Sequence, residues 1–167
     1  MTSSGLKTHI PPGARRSAAR LAGIQALYQM DIAGTDLQDI VQQFTIHHFD
    51  DQEDVQTIVK LDATFFTELL QGVVRRQLDI DPIVDEQLAT GWRLVRIDSI
   101  VRAILRAALF ELLERPDVPV RVVINEYIDV AHAFFDGDEP RVVNGILHNL
   151  AERYRAHEMK KPLASNG

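Results

Sequence analysis

Arg15, Arg16 and Arg20 are the side chains of this sequence best suited to chemistry with a partner, and that chemistry is recognition of phosphate oxygens. A guanidinium offers a planar fork of donors that matches phosphate geometry. These arginines arrive before any acidic residue, the first being Asp31, in a chain of 167 residues whose net charge is −6. A helix turns about 100° per residue, so Arg16 and Arg20, four apart, stand together at one edge of an apolar stripe made by Leu21, Ile24, Leu27 and Tyr28. Ala19, Ala22 and Ala26 give the opposite side a smooth face that a second helix could approach closely. Three arginines on a helix can equally be a solvated surface, and the residues alone leave both readings open.

Other chemistries are poorly represented. The sequence has no cysteine, which excludes disulfides and thiolate metal sites. His47 and His48 are adjacent and would diverge on any regular element. Asp50, Asp51, Glu53 and Asp54 lack the glycine and distal glutamate of a calcium loop, so a solvated acidic loop is expected there. There is no glycine-rich phosphate loop and no Gly-x-Ser-x-Gly. The expectation is a protein without catalytic residues, metal or cofactor. Met1 to Pro12 lacks the apolar segment of a signal peptide, and no run approaches a membrane span, so a cytoplasmic protein with no membrane partner is expected.

Charge is distributed unevenly. Residues 1–30 carry Lys7 and the three arginines, whereas residues 31–62 carry eight acidic side chains against Lys60 alone. Polyanion binding would therefore be confined to one face. Hydrophobic residues are 46% and charged residues 25%, which suits one globular domain with a proper core.

The elements that must position these residues all read as helices. Residues 1–13 form an expected flexible arm, 14–156 a helical domain and 157–167 a disordered tail. The first helix spans Ala14 to Ala33 and stops at Gly34. Thr35 or Asp36 caps a second, with Leu37, Ile40, Val41 and Phe44, and the stretch His47 to Asp54 reads as a loop. A third begins at Val55 or Asp62 and buries Phe65, Phe66, Leu69, Leu70 and Val73. Asp81-Pro82 has the form of an N-cap followed by a first-turn proline and predicts a new helix with Ile83, Val84 and Leu88, broken at Gly91. Trp92 is expected to anchor the connection. Asp98 or Ser99 caps a helix with Ile100, Ile104, Leu105, Ala108, Leu109 and Leu112, ended by Pro116. Pro119 opens another that carries Val123, Tyr127, Val130, Ala131 and Phe134. Asp138 caps the last, with Val143, Ile146, Leu147, Leu150 and Tyr154. The fold class is all-α, a single domain of about seven helices in two packed subdomains. Gly145, inside the last helix, costs about 1 kcal/mol relative to alanine, and a closely packed neighbouring helix is the expected reason.

Several blocks stand together in one order. Arg15-Arg16-Ser-Ala-Ala-Arg20 precedes Ile24-Gln-Ala-Leu-Tyr28. Arg102-Ala-Ile-Leu-Arg-Ala-Ala-Leu-Phe-Glu-Leu112 follows, then Asp117-Val-Pro-Val and Val123-Ile-Asn-Glu126, then Phe134 through Val143-Asn144-Gly145. This succession, over roughly residues 14 to 155, resembles the NusB family of bacterial transcription antitermination factors. Leu21 stands where the family often has glutamate, Ser17 and Ala18 thin its basic cluster, and the arm before Ala14 is long.

The resemblance implies a non-catalytic RNA-binding adaptor. Such proteins bind single-stranded boxA RNA together with the ribosomal protein NusE, and the pair joins RNA polymerase and other Nus factors during transcription of ribosomal RNA. Some members form homodimers. The implied RNA-binding residues are Arg15, Arg16, Arg20, Phe134, Asp138, Arg141 and Asn144, and the implied NusE-docking region is Val101, Arg102 and Leu105. Core packing competes with RNA contact at Phe134 and Tyr28, helix capping competes at Asp138, and a core role competes with docking at Leu105. A helical protein-interaction module that never touches RNA, or the detached RNA-binding domain of a ribosomal RNA methyltransferase, would share much of this pattern.

Overall fold

The computed structural model describes residues 12–49, 62–91 and 99–159, with no strand among them. The helices are α1 (Pro12–Ala33), α2 (Leu37–Phe49), α3 (Ala63–Arg75), α4 (Gln77–Gly91), α5 (Ser99–Glu114), α6 (Val120–Phe134), α7 (Glu139–Tyr154) and α8 (Ala156–Met159). The all-helical fold read from the sequence is therefore the fold of the chain. Most of the expected arm, the acidic run Asp50–Asp54, Trp92, Asp98 and residues 160–167 lie outside the described residues.

Local signals place most boundaries. Gly34 ends α1 at φ +65°, a conformation that costs a glycine nothing, and its amide donates to the Met30 carbonyl at 3.0 Å. Asp36 accepts the Gln38 amide at 3.2 Å ahead of α2, and Asp62 accepts the Phe65 amide at 3.0 Å ahead of α3. Pro119 occupies the N-cap position of α6.

The core is organised on α5. Every residue of this helix from Val101 to Leu112 except Arg102 is buried, so it is enclosed all round. Helices α1, α3, α4, α6 and α7 all pack against it. The alanine face of α1 is the buried one: Ala19, Ala22 and Ala26 lie inside with Ile24 and Leu27. Short side chains there let helices approach. A Cβ on Gly23 would come within 2.9 Å of Leu69, and one on Gly72 within 2.0 Å of the Phe110 ring. Phe44 stacks on Phe66 with ring centres 5.5 Å apart, which ties α2 to α3.

Five expectations are corrected. Helix α2 continues through His47 and His48 to Phe49, where the polar sequence suggests a loop. Asp81-Pro82 does not start a helix: α3 ends at Arg75 and α4 already begins at Gln77, with Pro82 inside it. The hydrogen bond that proline lacks would have used the Leu78 carbonyl, at a position 91% exposed, where water can replace it. Tyr28 is not core but 37% exposed, with Ile32 exposed one turn later. Nothing lies within 4 Å of a Cβ on Gly145, so no packed helix explains that glycine. Order also persists past residue 156, where the disordered tail is expected to begin, to Met159, because Arg155 donates to the Val118 carbonyl at 2.8 Å and to Glu158 Oε1 at 2.7 Å, while Glu158 Oε2 accepts the Val120 amide at 2.9 Å. These bonds hold α8 against the start of α6.

Candidate nucleic-acid interface

The three arginines at the head of α1 have different fates. Arg15 is exposed, and its carbonyl accepts the Asp62 amide at 3.2 Å, which joins α1 to the start of α3. Arg16 is partly exposed. Its closest carboxylate, Asp62, stands 3.8 Å away, and its guanidinium carbon lies 5.1 Å from the centre of the Phe65 ring. That ring holds the side chain by a cation–π contact while leaving most of its donors available.

Arg20 is different. Only 2% of it is exposed, and its guanidinium meets the fully buried carboxylate of Glu111 in a two-pronged contact, Nε to Oε2 at 2.9 Å and Nη2 to Oε1 at 2.8 Å. The Tyr127 hydroxyl donates to the same carboxylate. Glu126 stands 3.6 Å from Arg20 Nη1 and accepts the Ser17 hydroxyl at 2.8 Å. Burial alone would lower the pKa of Arg20, but the hydrogen bond and charge of Glu111 raise it. Burial, reinforced by the Glu111 charge, pushes the Tyr127 phenol well above its usual range. The expectation that Arg20 lies on a phosphate backbone is thus corrected: its donors are spent inside, locking α1 to α5 and α6.

Phe65 organises this corner in a way that its place in an apolar repeat did not reveal. Arg16, Arg20 and Arg115 surround its ring, with guanidinium carbons 5.1, 4.9 and 5.3 Å from its centre. Arg115 is itself committed to Asp117, at 3.0 and 2.9 Å, and to Glu68 at 2.9 Å. The signal available in the sequence was Glu111, a lone carboxylate within Leu109-Phe-Glu-Leu-Leu113, which had to find a cation once that helix was buried.

Of the remaining expected RNA residues, Phe134 and Asp138 mark the corner between α6 and α7, Arg141 follows in the first turn of α7, and Asn144 lies further along, beside the start of α6. Phe134 is half-buried against the core, at the end of α6. Asp138 is exposed at the N-cap position of α7, yet its side chain makes no capping bond; its carbonyl accepts the amides of Arg141 at 3.0 Å and Val142 at 3.2 Å. Arg141 is exposed, and Asn144 lies one turn further along, half-buried. The Ser17–Glu126 bond fixes α6 against the head of α1, eight residues before Phe134, or about 12 Å along the helix axis. Arginines and corner therefore occupy neighbouring regions.

The expected partner residues do not form a surface. Val101 and Leu105 are 0% exposed, because α5 is enclosed on every side, and this corrects their assignment to docking. Arg102 alone reaches solvent, paired with Asp85 of α4 at 2.6 Å. One turn on, Arg106 bridges Asp81 of α4 at 2.7 Å and Asp31 of α1 at 3.0 Å. Burial would lower the Arg106 pKa, but these two carboxylates raise it. Among the described residues no group of histidines and carboxylates is arranged to hold a metal ion, and no helix is long and apolar enough to cross a membrane.

Comparison with known proteins agrees with this architecture. The profile of the NusB family matches residues 17–152. The transcription antitermination protein NusB of Allorhizobium ampelinum is 46% identical over 160 residues, which cover 96% of this chain and 100% of that protein. Its namesake in a Bradyrhizobium species (strain BTAi1) is 49% identical over 145 residues, 87% of this chain and 86% of that one. Among solved structures, NusB of T. maritima superposes with a TM-score of 0.70 at 26% identity, covering 86% of this chain and 96% of that one. Antitermination factor NusB solved with NusE and double-stranded RNA superposes at 0.65 with 21% identity, over 84% and 98% of the two chains, a likeness of fold. On the family match and on these identities over nearly the whole length, the chain belongs to the NusB family.

Proposed function

We propose that the protein is a non-catalytic, cytoplasmic RNA-binding adaptor of transcription antitermination, binding single-stranded boxA RNA together with NusE and thereby joining RNA polymerase and other Nus factors on ribosomal RNA transcripts. Membership of the NusB family carries the reading, and curated relatives bear the name transcription antitermination protein. In an acidic protein, Arg15 and Arg16 are the two arginines at the head of α1 that remain available for phosphate oxygens. Phe134, Asp138 and Arg141 flank the strand at the α6–α7 corner and Asn144 meets it further along α7; half-buried aromatic and amide groups suit unstacked bases. Arg20 acts behind this surface by holding α1 in place.

NusE docks beside Arg102, where the Arg106 bridge brings α1, α4 and α5 together and Tyr28 and Ile32 expose apolar surface on α1. A small basic face on a chain of net charge −6 binds RNA only modestly alone, so the partner must contribute. Titration of labelled boxA RNA with and without NusE tests this. NusE should tighten RNA binding, and RNA should tighten NusE binding by the same factor. NusE that binds but leaves RNA affinity untouched would contradict the adaptor mechanism.

A further inference from the structure

A cleft of about 490 Å³ opens between the first turns of α6, the middle of α7 and α8. That size is in the range of small-ligand sites. Ile124 and Met159 give it an apolar lining, and Arg121, Asn125, Asn144 and His148 supply its polar groups. None of these four side chains has a hydrogen-bond or ion-pair partner among the described residues. One guanidinium, two amides and one imidazole therefore line a single recess without a partner inside the described part of the protein. Glu158 also lines it, but Arg155 and the Val120 amide already occupy that carboxylate.

Two further observations point outward from this recess. Gly145, next to Asn144 on α7 though not itself a lining residue of the cleft, has open space where a Cβ would project. Packing inside the molecule gives no reason for its helix penalty, whereas a bare stretch of helix lets a ligand backbone come close. The cleft and the arginine face lie on different sides of the same helix, α6. Asn125 lines the cleft, and the next residue, Glu126, accepts the Ser17 hydroxyl beside Arg16. A strand leaving Arg16 has only to cross α6, about 10 Å wide, with Val122 exposed on its outer side.

We propose that this cleft seats one nucleotide of the bound single strand, with Asn125 and Asn144 hydrogen-bonding the base edge and Arg121 and His148 taking the sugar–phosphate. The inference rests on the RNA-binding reading above and adds a base-discriminating subsite to it. Amides supply both a donor and an acceptor, which is what an unpaired base edge requires, and Ile124 and Met159 shield the base from water.

The test is abasic scanning of a labelled boxA RNA, one nucleotide at a time, read by fluorescence anisotropy on the full chain. The wild type should lose about tenfold in affinity at one position. Asn125→Ala with Asn144→Ala should bind intact RNA about tenfold more weakly and become indifferent to the base at that position, with an unchanged salt slope. Arg121→Ala, at an exposed site with no partner among the described residues, should instead make the log–log salt slope shallower by about 0.7. Asparagine variants that keep the wild-type abasic profile would overturn the cleft assignment and leave the adaptor reading standing. So would variants that lose NusE affinity with RNA affinity intact. A wild type that binds no RNA would overturn both.

Discussion

Arg16 and Arg20 are one helical turn apart on the same helix, yet they belong to different parts of the molecule. Arg16 leans on Phe65 with its nearest carboxylate at 3.8 Å, whereas Arg20 is buried with Glu111 at 2.8 Å and Tyr127 on the same carboxylate. The difference teaches that a basic motif is not one functional unit. Its first residues face outward, and its last holds the helix in register with α5 and α6 so that the others are presented correctly. A charge that is exposed contributes little to stability and is free for a ligand, while a buried paired charge is costly to orphan.

The largest effect is expected of Arg20→Ala. It leaves the Glu111 carboxylate uncompensated in the core, and the expected cost is about 3–5 kcal/mol in urea unfolding. Arg16→Ala in the same assay should change stability by less than about 1 kcal/mol. Equal effects would erase the distinction.

Two helical glycines sharpen it next, with opposite signs. Gly72→Ala puts a methyl group 2.0 Å from the Phe110 ring and should cost about 1–3 kcal/mol as the core is overpacked. Gly145→Ala meets nothing within 4 Å and should gain up to about 1 kcal/mol from helix propensity. Melting temperatures of the two variants should therefore move in opposite directions.

The smallest effect separates two aspartates at helix starts. Asp62→Ala removes a capping bond that the structure contains and should cost about 1 kcal/mol. Asp138→Ala removes only a charge near the positive end of α7, for about 0.3–1 kcal/mol at low salt. The Asp138 cost should shrink when salt is added, and the Asp62 cost should persist.

What could be read from the sequence was local. Gly34, Asp36, Asp62 and Pro119 announce their helix ends through backbone needs that involve only near neighbours, and the apolar repeats of α6 and α7 name the residues they bury. What could not be read depends on distant partners. The carboxylate that captures Arg20 lies 91 residues away, and nothing near Arg20 distinguishes it from Arg16. Docking at Val101 and Leu105 is implied only by the resemblance, with a core role competing at Leu105, and the enclosure of α5 that decides between them is a property of the assembled bundle. Asp81-Pro82 carries the same signature as a helix start, but α4 was already under way, and Asp81 went instead to Arg106. The polar cleft joins residues of α6 and α7 to a short helix beyond Tyr154 that no periodicity marked.

The most direct test of the account is the salt dependence of boxA RNA binding by the Arg15→Ala, Arg16→Ala double variant, alongside its melting curve. Weaker binding is expected, with a log–log slope shallower by about 0.7 for each phosphate that is no longer neutralised and a melting temperature close to wild type. Wild-type affinity with an unchanged slope, or a variant that fails to fold, would contradict it.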